Sequence, residues 1–206
     1  MIVRSCSPNA EYCWDLKTFT MSVRAAYDIK EGEEITIAYM PVGTMPRSQR
    51  QRDTLAKYGF VCGCVTCSLP LSKSRESDKR RKALELSLGL SEACPYTMWF
   101  EDVKQVVTGT ASKFTLDQIL DSSQRCLQVM TEEGYIEQNL YKLHLPKIIM
   151  VYSVKGDADQ VRVLAKRMAL LETLFEGNDM GWNKVAVNPD KTVWWKRGSD
   201  VDVKCM

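Results

Sequence analysis

Cys62, Cys64 and Cys67 lie in the run Gly59-Phe60-Val61-Cys62-Gly63-Cys64-Val65-Thr66-Cys67, three thiols within six residues. Thiols this close suit a metal, and because structural zinc closes a tetrahedron of sulfur or imidazole ligands, three cysteines need a fourth partner. Two residues compete for that place. His144, the chain's one histidine, stands inside a helical pattern in the other half, whereas Cys6 in Ser5-Cys6-Ser7-Pro8-Asn9 is the better candidate. With Cys6 as ligand, one structural Zn2+ ties the first residues to the sixties and shapes a pocket between them. The competing reading is a redox pair or a set of buried, unmetallated thiols. Cys13, Cys94, Cys126 and Cys205 have no partner spacing and read as ordinary thiols.

Three motifs frame this cluster. They are Ser5-Cys6-Ser7-Pro8-Asn9, then Gly32-Glu33-Glu34-Ile35-Thr36-Ile37-Ala38-Tyr39, then Arg50-Gln51-Arg52 through Leu55, Tyr58 and Phe60 into Cys-x-Cys-x-x-Cys. Together, and in this order, they resemble the C-terminal half of a SET domain with its post-SET zinc cluster, most of all the SMYD-type and related fungal SET proteins. The resemblance implies S-adenosylmethionine-dependent methylation of lysine in a protein or peptide. It implies that Tyr39 stands at the mouth of the lysine channel, that Tyr58 is the channel's second tyrosine, and that Phe60 packs on the cofactor's adenine. Asn9 resembles the residue that locks the threaded segment of that fold by hydrogen bonds and is a weaker cofactor-side candidate. The bland alternatives are that Tyr39 is a core or interface residue and that Phe60 only covers the metal.

The chemistry so implied asks for little acid or base. It needs a neutral amine, an in-line approach and a polar wall, and a tyrosine hydroxyl can hydrogen-bond the amine and contact the polarised methyl group. A desolvated channel lowers the lysine pKa and so helps supply the neutral form.

The sequence also departs from the family pattern. Val3-Arg4 stands where Asn-His belongs, a pair whose amide and imidazole contact the cofactor in relatives, and no Gly-x-Gly occurs in the 206 residues. Met1-Ile2 leads straight into the first motif, with no element before it to receive a first strand. The expectation is a C-terminal piece that lacks half of its cofactor site, as well as the mynd-type finger, and is inactive alone. A second reading is a non-catalytic, zinc-stapled SET remnant joined to a helical module that binds another protein.

Composition sets outer bounds. A hydrophobic fraction of 45% and a charged fraction of 26% suit a globular chain, and a net charge of +2 gives no case for nucleic acid or membrane as a partner. No apolar run approaches the ~18 residues of a membrane span, and no signal-peptide pattern opens the chain. Eight unevenly spaced cysteines among long helical patterns fit a reducing intracellular compartment, nucleus or cytoplasm, better than a disulfide scaffold.

The elements that must position these residues follow from periodicity. Phe19, Met21 and Val23 alternate with polar neighbours as a half-buried strand, and Ile35 and Ile37 mark a second that ends at Tyr39. A polar helix spans 47–57 and stops at Gly59. Residues 72–88 read as a polar linker running into an amphipathic helix, with Lys79-Arg80-Arg81-Lys82 as a solvated face or hinge rather than the alternative, a nucleic-acid or import patch. From Thr115 three helices follow, capped by Thr115 with Gln118 and by Asp157 with Gln160; they end at Gly134, beyond a bend at Pro146, and at Gly177. Leu116, Leu120, Leu127, Leu164, Met168 and Leu171 should be buried together, and residues 76–176 should be almost wholly helical. Trp182, Trp194 and Trp195 should pin the tail to the body. The fold class is α+β: a partial SET-type β fold with a zinc-bound post-SET segment, then tetratricopeptide-like hairpins. Its expected divisions are 1–44 for the SET half, 45–69 for the post-SET helix and cluster, 70–177 for the helical region and 178–206 for an irregular aromatic tail.

Overall fold

The computed structural model describes residues 3–92 and 115–197, with 86–92 through their backbone only. Cys94, Cys205 and the part of the expected helical span at 93–114 lie outside the described residues. The chain divides into two units: residues 1–90 with 128–137, and residues 91–127 with 138–206.

In the first unit the chain's opening residues do find a partner, which lies downstream. Strand β1 (Val3–Arg4) runs parallel to β4 (Thr36–Ile37), Val3 opposite Thr36 and Arg4 opposite Ile37. Val3 N–H and Ser5 N–H extend the ladder by donating to the carbonyls of Ile35 and Ile37, each at 3.0 Å. Between them lies an antiparallel hairpin, β2 (Ala10–Asp15) with β3 (Thr20–Ala25). The first of these two strands was not expected, although Ala10, Tyr12 and Trp14 alternate with Glu11, Cys13 and Asp15 in the required period of two. Its turn is closed by Asp15, whose carboxylate accepts from Lys17 N–H at 2.8 Å and from the Thr18 hydroxyl at 2.9 Å. Phe19 takes φ 53° in that turn, so the strand starts at Thr20. The second expected strand ends at Ile37 and Tyr39 sits in the bend that follows. Tyr12, Trp14 and Met21, 44–50% exposed, share one outward face of the hairpin.

Helix α1 (Arg47–Tyr58) ends where Gly59 adopts φ 75° and donates its N–H to Leu55 O at 3.0 Å, a left-handed cap that only glycine enters freely. Its buried residues are Arg50 and Thr54, so its inner face is polar.

The helix expected to emerge from a polar linker within 72–88 instead includes that linker from its first residue. Helix α2 spans Leu71–Glu92, and its buried residues Ser74, Ser77, Arg81 and Leu84 fall on one helical stripe. A stripe of two serines and an arginine carries almost no hydrophobic signal, which is why periodicity missed it. Of the basic run, Lys79 and Lys82 are exposed as a solvated face would be, but Arg80 is only partly so and Arg81 turns inward. Arg81 is fully buried, with Nε 2.9 Å from a Glu133 carboxylate oxygen and Nη1 donating to the Val42 and Gly43 carbonyls at 2.7 and 3.2 Å. Arg80 Nη2 reaches the other Glu133 oxygen at 2.6 Å, Ser77 donates to Glu133 at 2.5 Å, and the Tyr135 ring lies 4.9 Å from the Arg81 guanidinium. Pairing and hydrogen bonding of this kind offset the cost of burying a charge.

In the second unit, helix α3 (Leu116–Glu132), which ends in the first unit, opens on a reciprocal cap. Gln118 Oε1 accepts from Thr115 N–H at 2.8 Å, and the Thr115 hydroxyl accepts from Gln118 N–H at 3.2 Å. Helix α4 (Gln138–Lys155) continues through Pro146. Helix α5 (Ala158–Glu176) is capped by Asp157, which accepts from Gln160 N–H at 3.0 Å, and is closed by Gly177 at φ 82°. Ile119, Met150, Val151 and Val154 form a buried cluster rimmed by Leu116, Leu120 and Trp194. Of the six residues expected to be buried together, Leu127, Met168 and Leu171 are buried, while Leu116, Leu120 and Leu164 are only partly so. Within the segment expected to be irregular, α6 (Trp182–Val187) and a 3-10 turn (Pro189–Lys191) form, and Lys196 N–H donates to Ser153 O at 3.0 Å. Among the described residues no helix is long and apolar enough to cross a membrane.

Candidate metal centre and adjoining cavity

Cys6 follows directly from β1, and Cys62, Cys64 and Cys67 follow the glycine cap of α1, so a strand end and a helix end deliver the sulfurs to one place. All four sulfurs lie within 4.8 Å of one another. Cys6 Sγ is 3.9 Å from Cys62 Sγ and 3.5 Å from Cys67 Sγ. Four sulfurs about 2.3 Å from one central zinc would stand about 3.8 Å apart, so the set can accept one metal ion with little adjustment. Cys6, Cys62 and Cys67 are buried, and the apolar side chains of Met40, Val42 and Met45 pack around them. Cys6 N–H donates to Cys64 Sγ at 3.4 Å. Hydrogen bonding from the Cys6 thiol, then from Cys67, pulls the Cys64 pKa far down, and the same contact with Cys64 pushes Cys6 up.

His144 belongs to the other unit. It is buried on α4, its Nδ1 3.4 Å from the Ser123 hydroxyl, and burial, helped by the Lys147 charge, drives its pKa down to about 3. Cys13 and Cys126 are partly buried and stand apart from the cluster.

A cavity of about 660 Å³ adjoins the sulfurs, bordered by Val3, Arg4, Asn9, Thr36, Phe60 and Cys64 among others. Phe60, on the border of this cavity, is 37% exposed. Asn9 is different, because its amide is spent on the fold. Its Oδ1 accepts from Thr36 N–H at 2.8 Å and from the Thr36 hydroxyl at 3.2 Å, and its Nδ2 donates to Glu34 O at 2.9 Å and Glu33 Oε1 at 3.1 Å. Tyr39 and Tyr58 do not border this cavity. They meet each other, with ring centroids 5.3 Å apart at 63° and the Tyr58 hydroxyl donating to the Tyr39 carbonyl at 3.0 Å.

Sequence reasoning missed three arginines at or near this site. Arg50 and Arg81 are fully buried, and Arg4 is 5% exposed with no hydrogen-bond partner at any guanidinium nitrogen. Nothing in their spacing signals it, since arginine is ordinarily a surface residue. The departure at Val3-Arg4 was the one available hint.

Strand order and the sulfur cluster define a mixed helix and strand protein with a candidate metal centre. Residues 1–40 match the SET domain family model. The chain is 39% identical over 80 residues to a histone-lysine N-methyltransferase set5 of Schizosaccharomyces pombe, covering 38% of this chain and 25% of that protein. It is 42% identical over 65 residues to the human protein-lysine N-trimethyltransferase SMYD5, covering 31% of this chain and 16% of that one. It is 35% identical over 63 residues to the Arabidopsis thaliana histone-lysine N-methyltransferase ASHR2, again covering 31% and 16%. The matched stretch is thus a quarter or less of the length of these curated relatives.

Proposed function

We propose that these residues are part of an S-adenosylmethionine-dependent protein-lysine N-methyltransferase, and that Cys6, Cys62, Cys64 and Cys67 hold one structural zinc. The observation that carries the reading is the convergence of Cys6 with the three clustered cysteines beside a cavity bordered by Asn9 and Phe60. A volume of about 660 Å³ falls in the range of about 300–1,000 Å³ usual for small-molecule sites. S-adenosylmethionine, when bound, supplies a methyl group on a cationic sulfur. Phe60 offers an apolar face for an adenine ring, and Tyr39 with Tyr58 would form the aromatic wall that orients the substrate lysine. The zinc would hold the Phe60 segment against β1. The proposed divisions remain 1–44, 45–69, 70–177 and 178–206, with α3 to α5 as tetratricopeptide-like hairpins that form a protein-binding wall. A protein or peptide lysine, in a histone or another substrate, is the proposed partner, and nucleus or cytoplasm the proposed location.

A second reading, a zinc-stapled SET remnant with a helical interaction module, is favoured by Arg4 and Asn9. The guanidinium of Arg4 is buried where relatives have a cofactor-contacting histidine, and the amide of Asn9 is already saturated. The test is methyl transfer from radiolabelled cofactor to peptide lysines by the gene product that contains these residues. The enzyme reading expects turnover that falls in Tyr39→Phe. Absent turnover from a zinc-loaded, folded protein would select the second reading.

A further inference from the structure

Arg50 is 1% exposed on the inner face of α1, and its surroundings leave its charge poorly matched. Nη1 donates to the Met45 carbonyl at 2.6 Å, a neutral acceptor. The carboxylate in reach is Asp78 at 4.0 Å, and the same Asp78 oxygen already accepts the Arg47 N–H at 2.7 Å. Nε has no partner. A second buried cation, Arg81, is close enough that, after burial itself, Arg50 is the main influence holding the Arg81 pKa below its ordinary value. Glu133 serves Arg81, with no oxygen left for Arg50. A buried cation in such a setting is strongly destabilising unless a negative group compensates it.

That group lies on the other side of the guanidinium. Nη2 is directed at Cys67 Sγ, 4.0 Å away. Four thiolates around one divalent ion carry a net double negative charge. We propose that Arg50 is a positioning residue of the metal centre, its guanidinium hydrogen-bonding the Cys67 thiolate and balancing part of the charge of the loaded cluster. This rests on the zinc reading above. Groups that hydrogen-bond to metal ligands fix ligand orientation and tune affinity, and their loss typically weakens metal binding by about 10–100-fold. Cys6 N–H does the corresponding service for Cys64 at 3.4 Å, so two of the four sulfurs have a donor within the protein. By linkage, an ion that gains from Arg50 also stabilises α1 around it.

The test uses the whole chain and zinc itself, with affinity measured by competition against a chromogenic chelator. Arg50→Met should weaken zinc binding by about 10–100-fold, and Arg50→Lys, which keeps the charge, should return it to within about fivefold of the native value. Cobalt substituted for zinc should show shifted sulfur-to-metal absorption bands in Arg50→Met. Met130→Ala, a buried change outside the cluster, should lower the melting temperature and leave zinc affinity and the cobalt spectrum at native values. If Arg50→Met does not fold, Arg50→Gln, which keeps a donor and loses the charge, takes its place in the same assay. Native affinity and spectrum in these variants, or a loss that Met130→Ala reproduces, overturns the assignment while leaving the zinc reading intact. A native chain that binds no zinc overturns both.

Discussion

The Tyr58 hydroxyl donates a 3.0 Å hydrogen bond to the main-chain carbonyl of Tyr39, while the two rings meet edge to face. This contact joins the end of α1 to the bend after β4. Because Tyr58 remains 43% exposed, the bond is worth little in stability. Tyr58→Phe should cost about 0.5–1 kcal/mol in urea denaturation. Tyr58→Ala should cost a further 0.5–1.5 kcal/mol or so as the ring pair is lost. Identical stability for Tyr58→Phe and the native chain would mean that water serves the Tyr39 carbonyl equally well.

Metal removal should have a larger effect. One zinc per chain is expected by elemental analysis, and a strong chelator should lower the melting temperature, since binding to the folded state alone adds directly to its stability. Cys6→Ser should weaken zinc binding by at least 100-fold or so, because only three thiolates then remain. Native affinity in that variant would show that the site closes without Cys6.

Glu133 and Arg81 form the most completely buried ion pair among the described residues, their side chains 2% and 0% exposed. Glu133→Gln should therefore cost about 3–5 kcal/mol, because it strands a guanidinium in the interior. The double change Glu133→Gln with Arg81→Met should recover part of that loss. Equal destabilisation by the single and double changes would show that the carboxylate matters for its hydrogen bonds and not for its charge.

Glu11 gives stability a pH dependence of unusual sign. Burial, opposed by the Tyr12 N–H and assisted by the Glu137 charge, raises its pKa to about 7. The folded state holds the proton more tightly than the unfolded one, so this stabilisation is complete below the ordinary carboxylate pKa and is lost as pH rises towards 7. Glu11→Gln should flatten that decline between pH 5 and 8, as read from urea midpoints. A slope unchanged in Glu11→Gln would place the titration elsewhere.

The 206 residues by themselves should bind S-adenosylmethionine with a dissociation constant above about 1 mM, that is, with less than about 4 kcal/mol. Asn9 has no free amide to offer, and the guanidinium of Arg4 is buried. Micromolar binding in a calorimeter, with turnover lost in Tyr39→Phe, would show that these residues suffice for the reaction.

What could be read from the sequence was what local chemistry dictates. The caps at Thr115, Asp157, Gly59 and Gly177 were readable because each satisfies main-chain groups within a few residues of itself. The spacing of Cys62, Cys64 and Cys67 identified a cluster for the same reason. The opening turns of helix α2 escaped notice because Ser74, Ser77 and Arg81 face inward, and the partners of Ser77 and Arg81, Glu133, Val42 and Gly43, are remote in sequence. Strand β2 was not anticipated, although its residues alternate in the required period of two. The place of Arg50 could not be inferred at all, since its meaning depends on a sulfur brought to it by another segment.

The buried carboxylate of Glu133 sets a schedule for synthesis. The unit that contains β1 to α2 also contains residues 128–137, so a nascent chain released only as far as residue 90 holds Arg81 without its counter-ion. Some forty further residues must leave the ribosome before that charge is neutralised, a delay of about 2–8 s at 5–20 residues per second. During that interval all four clustered cysteines, Cys6 to Cys67, are already outside. The first unit is therefore finished only when residues 128–137 have been made and Glu133 can meet Arg81.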